Sequence, residues 1–225
     1  MKALVLFSGG QDSTTCLYWA LNQYKEVTAL NIQYGQRHQA EIAAAINIAD
    51  MAGVKLETID LSSIFEQIGN SALLRPGKIS ESHHSNPNLP ASFIPGRNLI
   101  FITVASMIAY KKGIENIITG VSEADYSGYP DCRRDTIYAL NSAINLGMDI
   151  DILIHTPLIN ITKKEEVLWA NTIPGCMKAL AYSHTCYEGA VPPCGKCPSC
   201  LLRTKGFEEA GIPDPLIERL KNEIL

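Results

Sequence analysis

The chain has 225 residues, 46% of them apolar, a net charge of −4 and an isoelectric point of about 5.7. This length and apolar content suit one α/β domain, so we expect residues 1–225 to form a single domain with a substantial core. The sequence has no long basic run, no apolar stretch long enough for a membrane span and no charged leader. These absences argue against nucleic-acid and membrane partners and favour the cytoplasm.

Short apolar runs alternate with helical patterns, which predicts an open, mainly parallel twisted sheet with helices on both faces. The expected strands are 3–7, 27–32, 55–60, 116–120 and 152–155, and the expected helices are 14–24, 37–51, 98–112, 134–146 and 163–171. Residues 62–95 show little periodicity and are expected to form a long loop. Ligands of parallel sheets bind beyond the carboxyl ends of the strands, where 8–13, 33–38 and 120–133 fall.

The first strand is followed by a glycine-rich turn with the sequence Ser-Gly-Gly-Gln-Asp-Ser. Glycines let the backbone approach an anion closely, and a helix N-terminus adds free N–H groups and a positive dipole. A plain glycine turn with a helix cap is the alternative. The segment lacks the lysine of the common phosphate loop and resembles the pyrophosphatase loop of the N-type ATP pyrophosphatases. That resemblance implies ATP binding by Ser8, Gly9, Gly10, Gln11, Asp12, Ser13 and Thr14.

Four cysteines near the C-terminus have the spacing C-x7-C-x2-C-x2-C, with prolines and glycine between them. The ligands are Cys186, Cys194, Cys197 and Cys200, and four thiolates at this spacing are typical of a structural zinc site. An iron–sulfur cluster and four unligated thiols are the alternatives. A closed four-cysteine site has no open coordination position, so we expect one structural zinc per chain in a segment at about 183–205.

The loop 120–133 contains two tyrosines, three carboxylates and an arginine. Tyr126 and Tyr129 offer stacking faces, and Asp125 and Asp131 can accept hydrogen bonds from the amino edge of a base. A solvated turn is the alternative interpretation.

Taken together, the Ser-Gly-Gly-Gln-Asp-Ser segment, Pro-Gly-Arg-Asn at 95–98, the segment 125–133 and the cysteine tail resemble the 7-cyano-7-deazaguanine synthase family of queuosine precursor synthesis. The resemblance covers nearly the whole chain and implies an adenine-nucleotide α-hydrolase-like fold. It implies an ATP-dependent ligase that makes a nitrile from 7-carboxy-7-deazaguanine, ATP and ammonium, with Mg²⁺ and a structural zinc, as a homodimer.

The resemblance also implies roles for individual residues. The catalytic candidates are Asp12, Ser13 and Lys163; the further ATP contacts are Arg97 and Gly120; the substrate contacts are Asp125, Tyr126, Tyr129, Asp131 and Arg133. Asp12 has an alternative role as a helix cap, and Lys163 as a solvated lysine. Arg97 has three possible partners: the nucleotide, the substrate carboxylate or a structural acid.

Because the ATP loop begins at residue 8, we expect no glutaminase domain and take free ammonium as the nitrogen source. Two rival functions are a tRNA sulfur-transfer enzyme on the same fold and a non-catalytic, zinc-stapled binding module. The first needs a basic RNA surface, which the net charge disfavours, and the second leaves the ATP loop unexplained.

Overall fold

The structure, a computed structural model, describes residues 1–36, 40–68, 71, 73–74, 82–83, 86–123 and 129–224. The strands are β1 (Lys2–Leu6), β2 (Glu26–Gln33), β3 (Lys55–Asp60), β4 (Ser82–His83), β5 (Asn86–Pro90), β6 (Asn116–Ile118) and β7 (Leu153–His155). The helices are α1 (Gln11–Gln23), α2 (Ala40–Ala52), α3 (Ser62–Ile68), α4 (Arg97–Lys112), α5 (Arg134–Met148), α6 (Lys163–Thr172), α7 (Cys176–Leu180), α8 (Pro198–Ala210) and α9 (Pro215–Ile224).

Five parallel strands form a sheet in the order β3-β2-β1-β6-β7, as the alternating pattern predicts. The chain leaves the central strand β1 toward β2 and β3, then returns to the other side through β6 and β7. The strand order therefore reverses between β1 and β6. Ligands of such sheets bind at this reversal point, outside the carboxyl ends of the two strands.

Helices cover both faces of the sheet because β1 is apolar in both directions. Ala3 and Val5 pack with residues of α1, α2, α7 and α8 on one face, and Leu4 packs with residues of α4 and α5 on the other. A continuous apolar run such as this is typical of a central parallel strand. Within the described ranges, no helix is both long and apolar enough to cross a bilayer.

The prediction of a long loop at 62–95 was wrong for the residues of this segment that the structure describes. It begins with helix α3 and includes the antiparallel pair β4–β5. Phe65 and Ile94 anchor this segment in a small apolar cluster with Tyr34. These contacts join residues that are far apart in sequence, so local periodicity does not predict them.

The largest boundary difference from the sequence expectation in the described residues is at the start of α1. Helix α1 begins at Gln11 rather than Thr14, because the Thr14 N–H already bonds the Gly10 carbonyl at 3.0 Å. Residues 37–39 of the expected second helix, of which 37–38 also belong to the expected ligand edge at 33–38, lie outside the described residues.

Candidate active site

The turn between β1 and α1 is held together by its own hydroxyl groups. The Ser8 N–H donates to Ser13 Oγ at 3.2 Å, the two serine hydroxyls lie 3.1 Å apart, and the Gly10 N–H donates to Ser8 Oγ at 3.3 Å. The Thr14 hydroxyl donates to the Gly10 carbonyl at 2.8 Å. The serines thus fix the shape of the turn in front of the α1 N-terminus, where an anion is favoured.

Gly9 and Gly120 let neighbouring backbones close in on this turn. Gly9 has φ +87°, and a Cβ there would lie 2.6 Å from both Ala45 N and Glu41 O of α2. A Cβ on Gly120, which follows β6, would lie 3.1–3.2 Å from atoms of Asp12 and Ser13. The predicted Gly9 and Gly120 therefore shape the turn by allowing close packing.

Lys163 at the start of α6 reaches the first turn of α1. Its Nζ donates to Asp12 Oδ1 at 2.8 Å and to Glu166 Oε2 at 2.7 Å, and the Lys163 residue is only 6% exposed. Glu166 also accepts from the Thr15 hydroxyl at 3.1 Å. The lysine is thus a buried, positioned cation and not the solvated side chain of the alternative interpretation.

Two neighbouring glutamates of α6 have separate tasks. Thr162 caps the helix in a capping box with Glu165, whose side chain accepts from the Thr162 N–H at 2.7 Å. Glu166 is instead 1% exposed, and burial together with the Asp12 charge raises its pKa to about 7. Sequence reasoning missed Glu166, although its i,i+3 spacing from Lys163 was a usable signal.

A cavity of about 600 Å³ opens at the carboxyl edge of the sheet. Its walls include Ser8, Gly10, Gln11, Asp12, Ser13, Arg97, Gly120, Tyr129 and Lys163 from the predicted set. Gly9 and Thr14 lie behind the turn instead. The structure therefore brings the ATP-loop candidates, the lysine and Arg97 to one cavity, at the reversal point of the sheet.

Arg97 begins α4 and lies between two aromatic rings. Its guanidinium carbon is 5.5 Å from the Tyr34 ring centroid and 5.8 Å from that of Tyr129. Burial raises the pKa of Tyr34 to about 12, so this phenol stays protonated. The Tyr129 hydroxyl is 2.7 Å from the Ser92 hydroxyl. Tyr34, which follows β2 within the expected ligand edge at 33–38, and Glu41 of α2 also line the cavity, and the sequence analysis gave neither residue a role.

The other predicted base contacts have different positions. Asp131 is 5% exposed, and its Oδ2 accepts from the Asn98 N–H at 2.9 Å at the start of α4. Arg133 is exposed and does not line the cavity. Asp125 and Tyr126 lie outside the described residues.

The four predicted cysteines come together. Their sulfur atoms all lie within 4.8 Å of one another, and Cys194 Sγ is 3.9 Å from Cys200 Sγ. Zinc–sulfur bonds of about 2.3 Å in a tetrahedron place the sulfurs about 3.8 Å apart. Hydrogen bonds from Cys200 lower the pKa of Cys197 to about 4, which favours a thiolate. The four cysteines are therefore placed so that they could hold a metal ion.

The cysteine segment also forms a wall of the cavity, through Cys186, Tyr187, Pro198 and Ser199. The His184 N–H donates to the Gly9 carbonyl at 2.9 Å, which ties this segment to the turn. Arg203 clamps the segment from behind, because its guanidinium bonds Asp214 at 2.6 and 2.8 Å and Ser183 at 2.8 Å. The cysteine segment is thus part of the cavity wall as well as of the C-terminal tail.

Comparison with known proteins gives a consistent picture. The family model described as "Queuosine biosynthesis protein QueC" matches residues 2–211. A 7-cyano-7-deazaguanine synthase of Laribacter hongkongensis is 53% identical over 222 residues, covering 97% of this chain and 95% of that protein. Proteins of the same name from Chromobacterium violaceum and Bacillus subtilis are 50% and 44% identical, covering 99% and 92% of this chain and 95% and 94% of the relatives.

Two solved structures share the fold at low identity. A predicted tRNA methyltransferase subunit from Methanocaldococcus jannaschii has a TM-score of 0.51 and 22% identity, covering 76% of this chain and 74% of that one. A 4-thiouridine synthetase in complex with RNA and ATP has a TM-score of 0.52 and 18% identity, covering 99% of this chain and 52% of that one. At these identities the likeness supports the adenine-nucleotide hydrolase-like fold and nothing finer.

Proposed function

This chain belongs to the QueC family of queuosine biosynthesis proteins, and from that premise we propose that it converts 7-carboxy-7-deazaguanine and ammonia to 7-cyano-7-deazaguanine at the expense of ATP. Because the relatives are 7-cyano-7-deazaguanine synthases, we assign the chain to the ATP-dependent carbon–nitrogen ligases. The observation that carries the finer proposal is the single cavity, in which an anion-binding turn and a buried lysine share space with Arg97 and tyrosine rings. Such a cavity suits a polyphosphate at one end and a planar, anionic base at the other.

The chemistry requires two activations. A carboxylate is a poor electrophile, so its oxygen attacks the α-phosphorus of ATP, pyrophosphate leaves and an acyl-adenylate forms. Ammonia attacks the acyl carbon, AMP leaves and a proton is lost, which gives the amide. The amide oxygen attacks the α-phosphorus of a second ATP, and pyrophosphate and one proton are lost to give the adenylated amide. Loss of AMP and a second proton then gives the nitrile.

Each residue of the turn has a role that follows from its position. Ser8, Gly9, Gly10 and Gln11 are the proposed loop contacts to ATP, and the N-terminus of α1 would hold the departing pyrophosphate. Lys163 would neutralise charge that develops during phosphoryl transfer, and Glu166 holds it in place. Asp12 and Ser13 complete the catalytic set that we propose.

Two metals complete the proposal. Mg²⁺ would supply charge neutralisation on the phosphates, with Asp12 as its candidate protein ligand because the carboxylate lines the cavity. Zinc would be bound by the four cysteines in a closed, structural site, since thiolates at tetrahedral spacing are the donors zinc prefers. Tyr129, Asp131, Asp125 and Tyr126 are the proposed contacts to the base, and Arg133, which is exposed outside the cavity, is left out of this set.

The remaining expectations concern assembly and setting. We place the protein in the cytoplasm as a homodimer that does not bind nucleic acid. Exposed apolar side chains on α4 and α5, namely Met107, Tyr110 and Tyr138, provide a surface for a second copy. Light scattering of the purified chain measures its mass and would contradict the dimer if the monomer mass of 24.6 kDa were found.

The activity test uses the full chain with ATP, Mg²⁺, 7-carboxy-7-deazaguanine and ¹⁵N-ammonium. Mass spectrometry should detect a nitrile that carries one ¹⁵N atom. Formation of the amide alone would contradict the second activation, and label from glutamine amide nitrogen but not ammonium would contradict the nitrogen source.

A further inference from the structure

Arg97 is a cation in the cavity that has no close counter-charge among the residues the structure describes. In the described part of the chain, no carboxylate oxygen lies within the 4 Å of an ion pair with its guanidinium. Its immediate neighbours are the Tyr34 and Tyr129 rings. The sequence left three possible partners for Arg97, namely the nucleotide, the substrate carboxylate and a structural acid. The absence of a close acid in the described residues argues against the third.

The two tyrosines restrict Arg97 and use only part of its hydrogen-bonding capacity. The Tyr34 hydroxyl takes one hydrogen bond from the guanidinium, and because a guanidinium has several N–H donors, others remain for a ligand. The edge of a guanidinium matches a carboxylate in a two-point hydrogen bond. Arg97 is therefore preorganised for a planar anion.

The acids around Arg97 in the described part of the chain act on it through space and do not pair with it directly. Glu41 is half-buried on the same cavity wall, and burial raises its pKa to about 7, against the opposing effect of Arg97. Asp131 is buried outside the cavity lining, its Oδ2 accepts from the Asn98 N–H at the start of α4, and its charge acts on Arg97 from a distance. A direct, two-point pairing with Arg97 is thus left to a ligand.

The cavity has two anions to accommodate, and their donors lie in different surroundings. The turn before α1 is surrounded by Ser13, Gly120, His184 and Lys163, which suit phosphates. Arg97 is surrounded by tyrosines, whose faces suit a planar heterocycle. The carboxylate is the anion that is attached to a heterocycle.

On the basis of the proposed function, we propose that Arg97 binds the carboxylate of the carboxylated base, with Tyr34 and Tyr129 fixing the plane of its guanidinium. This assigns Arg97 to the acid substrate and not to ATP. The assignment has a consequence within one reaction cycle, because the amide intermediate is neutral. Replacing Arg97 should weaken binding of the acid and have little effect on binding of the amide.

The test compares both compounds on the same protein. Arg97→Met keeps the length of the side chain and removes its charge, while Arg97→Lys keeps the charge and loses the planar fork. Arg134→Met is the matched control, because Arg134 is exposed and lies outside the cavity. Calorimetry without ATP gives Kd for 7-carboxy-7-deazaguanine and for its 7-carboxamide, and steady-state assays with the amide give KM for ATP.

Arg97→Met should weaken binding of the acid on the order of 10–100-fold, the usual cost of lost charge-assisted hydrogen bonds. It should change the amide Kd and the KM for ATP by less than about threefold. Arg97→Lys should lie between wild type and Arg97→Met for the acid, and Arg134→Met should match wild type throughout.

Other outcomes would overturn the assignment. A higher KM for ATP with the amide as co-substrate would place Arg97 on the phosphates. Equal losses for acid and amide in both Arg97 variants, with unchanged unfolding midpoints, would mean that Arg97 only shapes the cavity. If the wild-type protein bound neither compound, the proposed function itself would fail, and this assignment with it.

Discussion

A single methyl group on α8 should disable the phosphate end of the cavity. Gly206 packs against Lys163, and a Cβ at Gly206 would lie 2.5 Å from Lys163 Cγ, 3.1 Å from its Cβ and 3.2 Å from its carbonyl carbon. Ordinary carbon–carbon contacts are about 3.5–4.0 Å. The lysine must therefore move by roughly 1 Å in Gly206→Ala.

Lys163 has little freedom to absorb this shift. Its Nζ is fixed at 2.8 Å from Asp12 and 2.7 Å from Glu166, and hydrogen bonds of this kind are lost beyond about 3.2 Å. Overpacking destabilises a protein by about 1–3 kcal/mol, and the higher helix propensity of Ala over Gly offsets at most about 1 kcal/mol of this. The free energy of unfolding should fall by about 1–2 kcal/mol. Misplacing a catalytic group by about 1 Å should lower kcat on the order of 100-fold.

Gly147→Ala is the matched control. Gly147 also lies in a helix, α5, and no atom of the described chain would meet its Cβ within 4 Å. This variant should gain up to about 1 kcal/mol and keep wild-type kcat. Urea denaturation and AMP release measure both quantities. A Gly206→Ala protein as stable and as active as Gly147→Ala would refute the proposed role and position of Lys163.

Three further predictions concern the turn, the buried glutamate and the metal. Asp12→Ala or Ser13→Ala should abolish AMP formation with little change in the unfolding midpoint; near-normal AMP release in both would refute the proposed catalytic turn. Burial raises the Glu166 pKa from 4.5 to about 7, so its contribution to stability is present below pH 4.5 and is lost as pH rises through about 7. Between pH 5 and 7 the unfolding free energy of wild type should therefore fall by on the order of 1–3 kcal/mol relative to that of Glu166→Gln. Wild type and variant curves of unfolding free energy against pH that run parallel would count against this. One zinc per chain should co-purify, and Cys194→Ser should lose metal, stability and activity together; iron in elemental analysis, or full zinc and stability in the variant, would contradict the structural zinc site.

The sequence predicted those parts of the site that depend on contiguous residues. The Ser-Gly-Gly turn follows a strand and precedes a helix, and the sheet order places it at the reversal point, as its position in the chain indicated. The four cysteines are close in sequence, so their spacing alone predicted the cluster. Local chemistry was sufficient in both cases.

The parts that the sequence did not predict depend on tertiary contacts. Glu166 and Glu165 are adjacent and identical in type, and only the fold turns one toward Lys163 and the other toward Thr162. Tyr34 follows β2 and Arg97 begins α4, and the two meet only when the sheet forms. The buried Asp131 accepts a hydrogen bond at the start of α4, a contact that the composition of its segment did not indicate.

The stoichiometry of the reaction tests the central claim most directly. With 7-carboxy-7-deazaguanine, ammonium, Mg²⁺ and excess ATP, the full chain should release two AMP and two pyrophosphate molecules for each nitrile formed. With the 7-carboxamide as substrate it should release one of each. Release of ADP and phosphate, or of one AMP per nitrile from the acid, would contradict the account of two successive adenylations in one cavity.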